Sequence, residues 1–295
     1  MTDTTWITHP PYFVMVSKSQ VQAWSTKRLP FEPRGWQKEF RERLRSSVSQ
    51  LHAQPQHVLH AIYASPVREF CDTENVLLYN VGPSHFASSA HHGLRFERAF
   101  SIDAPCPVPL SSRSLHYHNY FVASANAPLR HGRAVRPCAR WSFTADPREI
   151  GHCERVWYQM KTSQIDASSC GDAVPDVYGV RATITAPTGS IRLASAVKPL
   201  LDGIISALHQ HDGSDISEVS RRLAAKLDVQ PRAVIALLQD DRSTVLGRRS
   251  LVHRFGASVQ WNPQDDTCMA VELALEKGRD RPVRIEGELF SIVQR

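Results

Sequence analysis

The clearest pattern of apolar and polar positions lies in residues 191–209. There Val197, Leu200, Leu201, Ile204 and Leu208 recur at helical spacing and predict an amphipathic helix. Ser195 is placed to cap its start, and Pro199 falls in the first turn or so, where a missing N–H costs little. Residues 177–185 read as a strand that ends at a turn around Pro187 and Gly189. Upstream, Trp36, Phe40, Leu44, Val48 and Leu51 give the inner stripe of a helix over 35–51. Downstream, the stripes of 216–227 and 234–238 give two short helices joined by a tight turn. Such a pair resembles a helix-turn-helix, although a hairpin that merely packs has the same pattern.

Further strands are predicted at 12–16, 58–63, 94–100, 114–123, 141–143, 156–161, 250–255, 268–275 and 283–293. Residues 21–33, 126–140 and 168–175 read as irregular. The apolar run 76–81 fits a buried strand or a short helix equally well, with Asp72 able to cap the latter. His116 and His118 share one face of the 114–123 strand, a spacing that suits a metal or an exposed strand face. Segments 58–82 and 177–204 run through a similar order of strand, Ala/Pro step and apolar run. The expectation is therefore an α+β protein of two similar sheet-plus-helix halves, 1–104 and 105–295, with a helical insertion at 214–239.

Composition narrows the functional classes. The 295 residues are 42% hydrophobic and 22% charged, ordinary for a globular chain with a sizeable core. No stretch of about twenty apolar residues predicts a membrane span, and no basic leader precedes an apolar core, so a cytoplasmic protein is expected. The 6 cysteines are scattered without a C-x-x-C pair, which points to free thiols and away from structural zinc. No G-x-S-x-G elbow, phosphate loop or dinucleotide fingerprint is present. The net charge of +6 permits an anionic partner such as nucleic acid. Arg130, Arg133, Arg136 and Arg140 in one stretch, and Arg248 and Arg249 in another, are the candidate phosphate contacts. Lys38, Arg41, Arg43 and Arg45 line the outer face of the 35–51 helix, a solvated face or a phosphate-tracking one.

The candidate chemistry is carboxylate chemistry. Asp72, Glu74, Asp202, Asp240 and Asp241 are oxygen donors, and Lys198 lies one helical turn before Asp202. Each also has a plain structural use: Asp72 as a cap, Lys198 and Asp202 as an i,i+4 pair, Asp240-Asp241 as turn residues. The step Asp72-x-Glu74-Asn75, the helix Lys198-Pro199-Leu200-Leu201-Asp202-Gly203 and the pair Asp240-Asp241 before Val245 together resemble the RusA-type Holliday-junction resolvases. That family carries an Asp-x-Asp-Asn step, a Lys and an Asp one turn apart on a helix, and an acidic pair before a strand. The resemblance implies a magnesium-dependent endonuclease for branched DNA, with Asp72, Glu74 and Asp202 on the metal. It covers about half the chain and is split between the halves. The second segment has Arg192-Leu193-Ala194-Ser195 where the acidic step belongs, and the first has Leu78 and Gly82 where the Lys and Asp belong. The resemblance therefore implies either a composite site drawn from both halves or a degenerate one. In the degenerate case the chain is a non-catalytic binder of nucleic acid or of a protein partner.

Overall fold

A computed structural model describes residues 9–67, 71–112, 115–167, 174–263, 265–279 and 282–294. Among these residues, ten strands form one mixed sheet with helices packed on it, an α+β fold. In chain order the first elements are β1 (Tyr12–Val16), β2 (Gln20–Ser25), α1 (Trp36–Val48), β3 (His57–Ala64), a single π-helical turn (Asn75–Tyr79), β4 (Gly93–Ala99) and β5 (His116–Ser124). Next come β6 (Gly132–Ala145), α2 (Cys153–Thr162), β7 (Gln164–Asp166), β8 (Tyr178–Ala186) and α3 (Leu193–Ala207). A subsidiary region holds β9 (Gln210–His211), α4 (Ile216–Leu227), α5 (Pro231–Gln239), β10 (Arg248–Arg249), β11 (Val252–Phe255) and β12 (Ser258–Trp261). The chain then returns to the large sheet as β13 (Cys268–Lys277) and β14 (Val283–Gln294).

The strand order is β1-β2-β5-β3-β4-β13-β8-β14-β6-β7, and its pairing reads alike from either end. On each side the innermost pair is parallel, β3 with β4 and β8 with β13. The next strand outward, β5 or β14, is antiparallel to β3 or β8, and β2 or β6 is antiparallel to that. The two sides meet where β4 and β13 pair antiparallel. A strand, helix, strand, helical element and two strands recur in that order, as β2-α1-β3-π turn-β4-β5 and as β6-α2-β8-α3-β13-β14. β5 lies beyond residue 104, yet it sits between β2 and β3. The helices α4 and α5 lie within residues 214–239, the span expected to form a helical insertion.

The core lies between the sheet and α1, α2 and α3, with Leu59, Phe96, Val180, Ile184, Val271 and Leu289 of the sheet meeting Phe40, Trp157 and Leu200 of the helices. Helix α3 packs so closely on α2 that a Cβ at Gly203 would lie 2.6 Å from the Cβ of Val156. The opposite face carries a charge ladder. Arg95, Glu272, Arg181, Glu288 and Arg140 stand in register on β4, β13, β8, β14 and β6. Adjacent members pair at 2.8, 2.6, 2.8 and 3.5 Å.

Several local expectations are corrected. Residues 156–161 lie in α2, not a strand, and bury Val156, Trp157, Met160 and Lys161 at helical spacing. The β-branched and aromatic Val-Trp-Tyr run mimics a strand, and packing against α3 overrides it. Most of the supposed 126–140 loop is β6, whose arginines point outward from a strand 14 residues long. β2 (Gln20–Ser25) takes up residues 21–25 of the stretch expected to be irregular. His116 and His118 are buried rather than exposed, His116 stacked on Tyr63 and His118 edge-on to it, and the Tyr63 hydroxyl lies 2.7 Å from Nδ1 of His116. Burial pushes the His118 imidazole down to about 3, so it stays neutral. Arg192, not Ser195, holds the N-cap position of α3, and Pro199 sits inside the helix rather than in its first turn. Cys170 and most of the 168–175 loop fall outside the described residues.

Candidate functional site

The site forms where the π-helical turn after β3 meets α3 after β8. The turn closes by Asn80 N–H donating to the Asn75 carbonyl at 2.8 Å, the i→i+5 pattern of a π turn. It buries Val76, Leu77 and Leu78 against the core and leaves Asp72 and Glu74 at its head. Asn75 Nδ2 donates to Asp72 Oδ2, which orients that carboxylate.

Pro199 explains how α3 is joined to this turn. A proline has no N–H to give the carbonyl four residues back, so the Ser195 carbonyl lacks its helical partner. The Tyr79 hydroxyl of the π turn donates to that carbonyl at 2.9 Å and accepts from the Lys198 N–H at 3.4 Å. The proline thus opens a gap in the helix ladder that Tyr79 of the π turn fills, one position from Lys198.

Four carboxylates surround the Lys198 ammonium. Its Nζ lies 3.0 Å from Glu74 Oε1, 3.4 Å from Asp202 Oδ1, 3.5 Å from Asp265 Oδ2 and 3.7 Å from Asp72 Oδ2. Burial alone would lower the lysine pKa, but Glu74, Asp202, Asp265 and Asp72 outweigh it and hold the ammonium charged well above its usual range. One cation does not balance four anions. Burial, with the charge and hydrogen bond of Asp265, pushes the Asp72 carboxyl up to about 6. Burial pushes Asp202 up to about 7, against the pull of Lys198. Glu74 and Asp265 are also raised, burial first in each case. Oxygens of Asp72, Glu74 and Asp265 lie within 4.8 Å of one another, a group that can hold a metal ion. All three donors are carboxylate oxygens, which suits a hard divalent cation.

Four of the six acid and lysine positions expected from sequence are therefore gathered: Asp72, Glu74, Lys198 and Asp202. Asp240 and Asp241 are not. Asp240 ends α5, where its carboxylate meets Arg242 at 2.7 Å and Lys161 at 3.8 Å, and Asp241 is exposed beside it. The acidic pair that precedes a strand of the large sheet is Asp265-Asp266, one residue before β13, and Asp265 takes the place in the tight oxygen group that Asp202 was expected to hold. The sequence carried that signal, since 268–275 already reads as a strand.

The expected phosphate contacts are dispersed. Arg133 and Arg136 are exposed on β6, and Arg140 belongs to the charge ladder. The Arg130 guanidinium lies 4.1 Å from the centre of the Phe121 ring, and its backbone N–H donates to buried Glu97. Arg248 donates to the Asp212 carbonyl at 2.6 Å from β10, in a separate two-stranded sheet. Arg249 follows it. Burial lowers its pKa, against the opposing charges of Asp266 and Asp265.

Fold and site together define an α+β protein with a carboxylate and lysine cluster shared between two sets of strands. No family model matches the chain, and no curated protein matches it either. No helix among the described residues is long and apolar enough to cross a membrane.

Proposed function

We propose that the protein is a metal-dependent nuclease with one composite site, similar in plan to the RusA-type resolvases. The observation that carries this reading is the convergence of Asp72, Glu74 and Asp265 oxygens within 4.8 Å, beside Lys198 and Asp202. The Asp72-x-Glu74-Asn75 step comes from the first half, and Lys198, Asp202 and the Asp265-Asp266 pair come from the second. Each half lacks what the other supplies, as a composite site requires. The matching order of strand pairings on the two sides of the sheet also supports two related halves.

Asp72, Glu74 and Asp265 would hold the ion, magnesium being the simplest choice for an all-carboxylate set. Such an ion polarises a phosphate and lowers the pKa of bound water. Lys198 supplies a fixed positive charge at the site, able to stabilise negative charge developing on a phosphate oxygen. Asp202 positions Lys198 from one turn away. Asn75 orients Asp72 by its side-chain amide.

A second reading follows from the same geometry. Lys198 already lies within 3.7 Å of all four carboxylates and compensates part of their charge, as a purely structural cluster would need. Cleavage of labelled branched, duplex and single-stranded nucleic acid with magnesium or manganese separates the two. Metal-dependent cutting that falls at least a hundredfold in Asp72→Asn and in Asp265→Asn supports the nuclease. Binding without cutting leaves the structural cluster on a nucleic-acid-binding fold. Neither binding nor cutting at low salt, where phosphate contacts are strongest, overturns any nucleic-acid role.

A further inference from the structure

Beside the acidic cluster lies a second cavity, of about 410 Å³, lined by Arg28, Phe31, Cys71, Asp72, Asn75 and Asn80 among others. It shares Asp72 with the site, so whatever fills it abuts the carboxylates. One wall is the segment between β2 and α1, and that segment is held unusually firmly. Leu29 is fully buried. Side chains bind its carbonyls one after another: Ser25 Oγ at Lys27, Gln37 Nε2 at Arg28, Asn80 Nδ2 at Leu29 and Arg41 Nη1 at Phe31, at 2.9, 2.9, 2.8 and 3.3 Å. Pro30 and Pro33 fix two further backbone angles.

On this fixed backbone Phe31 is 70% exposed. Four side-chain bonds and a buried anchor fix the main chain from which the ring projects into solvent. An aromatic ring held in water beside a polar cavity is a stacking surface. Lys27, Arg28, Arg34 and Lys38 flank it in sequence, with Glu32 the acidic exception, so the surroundings favour a polyanion.

We propose that Phe31 and the cavity beneath it form a nucleotide subsite, in which an unpaired base stacks on the Phe31 ring while its phosphate reaches the Asp72 end of the cavity. This rests on the nuclease reading above and narrows it: the substrate presents an unstacked base, as a single strand, flap or branch point does, and a fully paired duplex does not. Base stacking on an aromatic side chain is tolerant of sequence, so the subsite selects strand structure rather than base identity. The preorganised segment reduces the ordering cost of binding.

The test measures binding of two fluorescein-labelled DNAs of equal length, one with splayed single-stranded arms and one fully paired, in calcium so that any cleavage is slowed. Wild type, Phe31→Ala, Phe31→Trp and Asp72→Asn are compared, followed by cleavage in magnesium. The expected result is roughly tenfold weaker binding of the splayed DNA by Phe31→Ala, unchanged binding of the paired duplex, and retention by Phe31→Trp. If Phe31→Ala binds and cuts the splayed DNA like wild type while Asp72→Asn fails to cut, the subsite is overturned and the nuclease stands. Equal weakening on both DNAs also overturns it, because stacking on an unpaired base cannot act on a closed duplex. If wild type neither binds nor cuts, the nuclease reading fails and takes the subsite with it.

Discussion

Replacing Asp202 by Asn tests whether the acidic cluster is crowded with charge. Asp202 is mostly buried, 3.4 Å from Lys198, and faces the charges of Asp265 and Asp72. Its carboxyl is raised from the ordinary 3.8 to about 7. The native state therefore holds the proton more tightly than the unfolded chain, and stability falls as pH rises from about 4 through 7. Each tenfold change in an ionisation equilibrium is worth about 1.4 kcal/mol. The ionised carboxylate then opposes folding by about 4 kcal/mol at pH 8 but only about 2 kcal/mol at pH 5, where the native carboxyl is protonated. Lys198 stays charged across this range in both states and adds no slope. Asn has the shape of the neutral acid and no charge, so the stability difference between Asp202→Asn and wild type should be about 2–3 kcal/mol more favourable to the variant at pH 8 than at pH 5. Urea unfolding in EDTA at the two pH values measures it. A variant that is destabilised equally at both would show that Lys198 and Asp202 form an ordinary ion pair, and that the cluster holds no excess charge.

Three further outcomes follow from the same geometry. Saturating magnesium at pH 8 should raise the wild-type melting temperature by roughly 5 °C at a hundredfold excess over its Kd, and leave Glu74→Gln nearly unmoved in the same thermal scan. Tyr79→Phe removes the donor to the Ser195 carbonyl beside Pro199, and should cost about 1 kcal/mol in denaturant unfolding while leaving the core spectrum native. Gly203→Ala places a Cβ 2.6 Å from Val156 and 2.9 Å from the Cys153 carbonyl, so α3 must lift from α2; a loss on the order of 2 kcal/mol is expected, with Ala at exposed Ser217 on α4 as the neutral control.

Much of the site was legible because its members lie at short, typed spacings. Lys198 and Asp202 declare themselves as neighbours on any helix, and the apolar stripe of 191–209 made the helix plain. Asp72 and Glu74 stood at the head of an apolar run whose type did not matter to their placement. Asp265 was lost for a different reason. Two acidic pairs, Asp240-Asp241 and Asp265-Asp266, precede stretches that can read as extended, and only the fold shows that the second one leads into the central sheet. The basic stretch 130–140 was misread because β6 has one open face, so its arginines obey strand geometry while its composition resembles a loop. Phe31 was invisible: a lone aromatic in an irregular stretch gives no sign that its backbone is pinned and its ring left out.

The charge ladder on the open face of the sheet sets the dimensions of a site on the other side. β4 and β13 form the seam between the side of the sheet whose β3–β4 connection carries Asp72 and Glu74 and the side whose β8–β13 connection carries Lys198, Asp202 and Asp265. A slip of two residues along that seam keeps every side chain on its proper face, so hydrophobic patterning alone does not forbid it. It would displace one set of acids from the other by about 7 Å, more than the whole 4.8 Å spread of the metal-holding oxygens. In one direction the slip sets Glu272 against Glu97, and in the other against Gly93, so Arg95 loses its carboxylate partner and Glu272 keeps only Arg181 of β8. Arg95 and Glu272 thus act as a ruler, calibrating from the far face how closely carboxylates brought from distant parts of the chain approach one another.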